Sequence, residues 1–270
     1  MSRLLLGLIL TIAIVIPANA QTWITLKGRV TWKPKQIFNR KKIDKKGKVC
    51  DRPKAKGPLL DPRWIINPKN KGVKDAVAYL GVIGKGGAVD VRAKMPIHPT
   101  LVKLKKPSVV LDQPCCEFEP RILCVRQGQD VIIKNSSAVD AHNSAVLGGK
   151  DKQNRQIAPS VNPIIPPGGQ VKLLAKEWGP SAYATPVTCS IHPWMKAHVR
   201  VFNHPYFSVT DENGNFELKN VPVVANVRLI IWHPELGWIP GPKGRSLPKP
   251  KKGSSVVDLG KVEVEPDDDE

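Results

Sequence analysis

The segment Cys189-Ser190-Ile191-His192-Pro193-Trp194-Met195 sets a thiol, an imidazole and a thioether three residues apart on one short stretch. Copper that cycles between two oxidation states takes two imidazoles and a thiolate in a trigonal plane, with a weak axial thioether. The segment supplies all of these but one imidazole. His142, in Val139-Asp140-Ala141-His142-Asn143, is the candidate for it, because it follows an apolar strand signal and falls where a fold can bring it alongside. The expectation is one copper ion held by His142, Cys189, His192 and Met195. A closed zinc site would use Cys and His without a thioether, and a dithiol redox centre needs Cys-x-x-Cys, which is absent. An oxidase or nitrite reductase would need further histidines for a second, open copper, and no His-x-His pair occurs, so the chain is not expected to be an enzyme. Asn143 and Ser190 each follow a ligand, and their side chains are expected to hydrogen-bond across the site and hold it rigid. His98, His198, His204 and His233 share no ligand spacing and are expected to pack or to face solvent.

The elements around these residues read as strands. Proline and glycine are plentiful, apolar runs are short and no capped 3.6-residue period is sustained, so the chain is expected to be all-β with little helix. TWITLKGRVTW and VKDAVAYLGVI are strand signals before residue 107. Beyond it come VVLDQ, then RILCVRQGQDVIIKNSS around the turn Gly128-Gln129, then GGQVKLLAK and the stretch into CSIHPWMKAHVRVF. A last block carries the turn Asp211-Glu212-Asn213-Gly214 and a strand from Asn226 to Trp232.

Residues 108–203 resemble a cupredoxin, and the Cys-x-x-His-Pro-aromatic-Met loop is most similar to that of the amicyanins. The run from Phe118-Glu119-Pro120 through Val125-Arg126-Gln127-Gly128-Gln129-Asp130-Val131 to Asn135 and His142-Asn143 is similar to the strands and histidine that precede that loop in amicyanins and plastocyanins. The resemblance implies a Greek-key sandwich with type 1 copper at one end, serving as a one-electron shuttle. It also implies that the His192 edge lies near the surface, rimmed by Pro193 and Trp194. Three cysteines in the opening strands, Cys115, Cys116 and Cys124, depart from that pattern. The flanks have a weaker resemblance, in Thr210 to Leu218 and Val221-Pro222, to the carboxypeptidase regulatory-like, transthyretin-type sandwich. It implies that residues 22–107 and 204–262 fold together as a second sandwich, into which the cupredoxin is inserted.

Residues 1–20 combine Arg3, an apolar run from Leu4 to Ile16 and the ending Ala18-Asn19-Ala20, which reads as a cleaved signal peptide too short to anchor the chain in a membrane. A periplasmic or otherwise exported protein is expected. Five cysteines there leave one over, and Cys189 is the candidate. The other four could form two disulfides, with Cys50 to Cys116 the favoured pairing. The net charge of +19 comes without interleaved aromatics, which argues against nucleic acid and for an acidic redox partner. Residues 263–270 form an acidic tail. The rival reading is a non-redox copper carrier or an envelope scaffold.

Overall fold

A computed structural model of the chain describes residues 21–35, 37, 39–44, 56–84, 87–239, 241 and 243–265. The signal segment, Cys50 and most of the acidic tail lie outside these. Among the described residues the protein is built from strands, with short 3-10 turns such as Pro99–Leu101 and Ala175–Glu177. No helix among them is long and apolar enough to cross a membrane.

Trp23–Trp32 is the central strand of one sheet. It pairs antiparallel with Asn215–Pro222 and parallel with Val256–Val264. Its alternation is legible in the side chains, because Ile24, Leu26, Val30 and Trp32 are buried while Thr25 and Lys27 are not. Gly214 closes the turn before Asn215 with a φ of 76°, and a Cβ there would lie 2.2 Å from the Val30 carbonyl oxygen. The second sheet pairs Val77–Ile83 with Phe207–Val209 on one side and with Val227–His233 on the other. Six of the seven residues of Val77–Ile83 are buried, as befits an apolar strand covered on both faces. Strands before residue 108 thus pair with strands after residue 203. One core joins both sheets, from Ile24 and Leu26 through Leu80 and Phe216 to Val262.

The strands from Ser108–Asp112 to Lys196–Phe202 pair among themselves in two larger sheets and one two-stranded sheet. Ser108–Asp112 runs parallel to Asp130–Lys134, which pairs antiparallel with Gln170–Leu173. The other sheet orders Ile122–Arg126, Lys196–Phe202, Thr185–Thr188, Ala145–Lys150 and Gln156–Val161. The parallel pairing of Ile122–Arg126 with Lys196–Phe202 joins an early strand to the last, a Greek-key feature that no meander has. Leu111, Val131, Ile133, Val146, Val187 and Val199 fill the space between the sheets.

The two units meet across Val77, Tyr79, Ile122, Phe202, Ile230 and Trp232. Arg200 is fully buried at this junction. Its guanidinium lies over the rings of Tyr79, Phe202 and Trp232 and donates to the Tyr79 hydroxyl at 2.7 Å and to the Ala182 carbonyl at 2.9 Å. A buried cation is tolerated where aromatic faces and acceptors replace its water.

One cysteine expectation is corrected. Cys124 stands as a thiol in the strand beside Arg200, and burial pushes its pKa up to about 12. No disulfide joins two described cysteines, because the strands carry Cys124 into the junction, away from a partner. The favoured partner of Cys116, Cys50, lies outside the described residues.

Candidate metal centre

The last hairpin of the inner sandwich carries the candidate ligands. Thr185–Thr188 and Lys196–Phe202 are its strands, and Cys189 to Met195 is the connection. The connection closes on itself, since the Cys189 amide donates to the Met195 carbonyl at 3.2 Å and the Met195 amide to the His192 carbonyl at 2.8 Å. Three-residue spacing therefore turns Cys189, His192 and Met195 around one end of the sandwich. All three are buried.

His142 reaches the same end from another loop. It lies in a two-residue strand, His142–Asn143, paired with Ile164–Ile165, and not in open loop. The buried Asn135 shapes the approach: its amide donates to the carbonyls of Asp140 and Ile165, and its Oδ1 accepts from the Ser137 amide. A buried side-chain amide with its hydrogen bonds made is a rigid post, and its loss would free the loop.

Asn143 ties the two loops together. Its Oδ1 accepts from the Ser190 amide at 2.7 Å and the Ile191 amide at 3.2 Å, and the Cys189 thiol lies 3.3 Å away. The side-chain link from Asn143 Nδ2 to Ser190 Oγ is present but longer, at 3.4 Å. The main lock is thus side chain to backbone, which holds the loop whatever rotamer Ser190 adopts.

The central geometry is the meeting of two imidazoles. His142 Nδ1 and His192 Nδ1 are 2.9 Å apart, with ring centroids at 4.8 Å and an interplanar angle of 62°. His142 is 0% exposed and His192 3%. Two ring nitrogens that close cannot both present lone pairs to each other; a proton or a cation must lie between them. Two nitrogens at about 2 Å from one ion fit that separation.

Cys116 completes the group. Cys116, His142 and His192 offer donor atoms that all lie within 4.8 Å of one another, the arrangement needed to hold a metal ion. Cys116 Sγ lies 3.9 Å from His192 Nε2 and 3.6 Å from Asp140 Oδ2. Cys189 is not in that three-residue group, and its thiol faces Asn143. Consecutive left-handed residues, Cys115 at φ 43° and Cys116 at φ 59°, turn the chain at this point. Such backbone is sparsely populated outside glycine and clusters at functional sites. Sequence reasoning set Cys116 aside as a disulfide half. The signal it passed over was a tandem cysteine in a segment that otherwise follows the pattern of the ligand-bearing domain.

The expected surface position of His192 is also corrected. Its ring is covered by Trp194, at 5.2 Å between centroids, and by Cys116, whose carbonyl accepts from Trp194 Nε1 at 3.1 Å. Pro193 is exposed and Trp194 half-buried, so the solvent edge of this end belongs to them. Two imidazoles with the Cys116 thiol within 4.8 Å form a soft donor set of the kind that holds copper.

No protein-family profile matches the chain, and no curated protein does. Among solved structures, a Cu(I) form of an amicyanin variant matches 37% of this chain and 86% of its own, at 20% identity and a TM-score of 0.28. A purple cupredoxin from Nitrosopumilus maritimus matches 35% of this chain and 99% of its own, at 19% identity and a TM-score of 0.26. For a copper-containing nitrite reductase from Thermus scotoductus the figures are 41% and 28%, at 20% identity and a TM-score of 0.30. At scores this low the fold rests on strand pairing. The strands from Ser108–Asp112 to Lys196–Phe202 form a β-sandwich, and a Cys, His, His group able to hold a metal ion lies among them.

Proposed function

We propose that the chain is a type 1 copper protein that holds one ion through His142, Cys189, His192 and Met195 and passes single electrons between redox partners. The observation that carries this reading is the 2.9 Å approach of the two buried Nδ1 atoms at the end of a sandwich whose ligand loop also bears a thiol and a thioether. When bound, copper supplies the one-electron couple. The protein's part is to keep the donors still: Asn135 fixes the His142 loop, Asn143 fixes the Cys189 loop, and burial excludes water that would otherwise reorganise around the changing charge.

The same reading assigns the electron-exchange surface to the edge of Trp194 with Pro193, since His192 itself is covered. Val139, Ile164 and Ile191 are exposed apolar residues on the loops that carry or adjoin the ligands, and they suit brief contact with a partner. The high positive charge favours an acidic one. Export through residues 1–20 belongs to the same proposal, as does the division into an inserted domain, 108–203, and an outer sandwich from 22–107 with 204–262. Pairing of strands across the insertion supports that division.

Redox cycling tests it. The copper-loaded protein should be reduced and reoxidised repeatedly with one electron per chain and no loss of ion to a chelator in solution. Release of copper on each reduction would favour a carrier of the ion over a carrier of electrons.

A further inference from the structure

Asp75 is a carboxylate that the fold buries without giving it a hydrogen bond. It is 5% exposed, and its ion pair with Arg121 Nη1, at 3.8 Å, is too long to be one. Arg121 donates through Nη2 to Glu235 at 2.7 Å instead. Among the described residues the Asp75 carboxylate has no closer partner. Buried carboxylates are otherwise hydrogen-bonded, so this one calls for a donor from outside the chain. Thr210 fixes its place from the backbone side. The Asp75 amide donates to the Thr210 carbonyl at 3.4 Å and the Ala76 amide to Thr210 Oγ1 at 2.9 Å, with Asp75 held at a left-handed φ of 66°. Non-glycine residues held in such backbone cluster at functional sites.

Asp75 lines a cavity of about 490 Å³ whose wall also includes Leu59, Ile65 and Phe118. Apolar walls around a few polar groups, in a volume of that order, are how small-molecule sites are built. The charges select among ligands. Arg121 and Lys74 lie close enough to offset the Asp75 charge, so an ammonium group would meet two cations, and a carboxylate would meet Asp75 itself. Burial holds the Asp75 carboxyl above the ordinary carboxylate range, against the pull of those cations. A hydroxyl suits it in either protonation state, because it both donates and accepts. We propose that this cavity binds a small neutral alcohol, whose hydroxyl donates to Asp75 while an apolar ring packs on Leu59, Ile65 and Phe118. The site goes beyond the copper reading and does not rest on it.

Four probes that share one ring test it: benzyl alcohol, benzyl methyl ether, benzylammonium and benzoate, each titrated into the full metal-free protein and followed by saturation-transfer NMR. Benzyl alcohol should bind with a dissociation constant of about 1 mM or tighter. The ether has no O–H to give and should bind about tenfold or more weakly, and both ions should bind more weakly than the alcohol. Asp75→Asn, whose side chain tolerates the left-handed backbone, should lose about tenfold in affinity for the alcohol and leave the ether unchanged. Ile65→Trp, which fills the cavity, should abolish binding of both, with thermal unfolding checking that each variant is folded. No binding of benzyl alcohol, equal affinities for alcohol and ether, or tighter binding of either ion overturns the proposal. Should Asp75→Asn fail to fold, the comparison of alcohol with ether in wild type decides it.

Discussion

Two regions of this protein gather buried histidines, and they are built on opposite principles. At the end of the inner sandwich, His142 and His192 turn their Nδ1 atoms toward each other, with a thiol within reach. Away from that end, His204 and His233 are buried and His198 is half-buried, and each packs on a different aromatic ring. His233 stacks on Trp64 and accepts from the Glu235 amide, His198 meets the edge of Trp232, and His204 accepts from the Tyr206 amide and packs against its ring. Burial is common to both regions, and convergence of donor atoms belongs to only one. Burial alone does not separate them, and the direction of the nitrogens is what marks one region as a candidate metal centre.

Acid breaks the comparison most strongly. Burial, aided by Arg121, holds His198 at a pKa of about 4 and His233 at about 3, and burial holds His204 at about 4. All three lie below the unfolded value of about 6.5, so the unfolded chain takes up protons that the folded one refuses. Their stabilising contribution is complete above about pH 6.5 and is lost as pH falls towards the folded values. Each histidine should forfeit about 2 to 3 kcal/mol between pH 7 and pH 4.5, read from urea unfolding at a series of pH values. His233→Gln should flatten that slope.

Copper sharpens the comparison from the other side. An ion that binds only the folded state at a thousandfold its dissociation constant stabilises it by about 4 kcal/mol. Calorimetry should show that rise in wild type and in His233→Gln, and none in His192→Ala. Smaller again is the effect of Asn143→Ala, which strips the acceptor from the Ser190 and Ile191 amides. About 1 to 3 kcal/mol should be lost, and the copper potential should move because the loop is no longer held. Tyr79→Phe at the junction should cost a similar amount, by depriving Arg200 and Trp238 of their shared acceptor, without moving the potential. The smallest effect concerns encounter: reduction by an acidic redox protein should slow severalfold between about 10 mM and 150 mM salt.

Much of this was legible in the residues. The candidate loop from Cys189 to Met195 stood out because its potential donors are close in sequence, and a hairpin connection keeps sequence neighbours together. The strands were legible because alternation survives in Trp23–Trp32 and because short apolar runs mark Val77–Ile83 and Val227–His233. Cys116 was not, since its place beside His192 depends on two left-handed residues and on the packing of Trp194, neither of which leaves a periodic trace. The cover over His192 was missed for the same reason. Cys124 was misjudged because a count of cysteines carries no directions, and the strand pairing that sets it against Arg200 is a long-range fact.

The most direct test of the central claim is the visible spectrum of the mature protein loaded with Cu(II), recorded beside Cys189→Ser. A thiolate bound to copper in a trigonal site gives an intense visible charge-transfer band. The account predicts that band in wild type and its loss in Cys189→Ser. A copper-loaded wild type without the band, or a band that survives in Cys189→Ser, would contradict it.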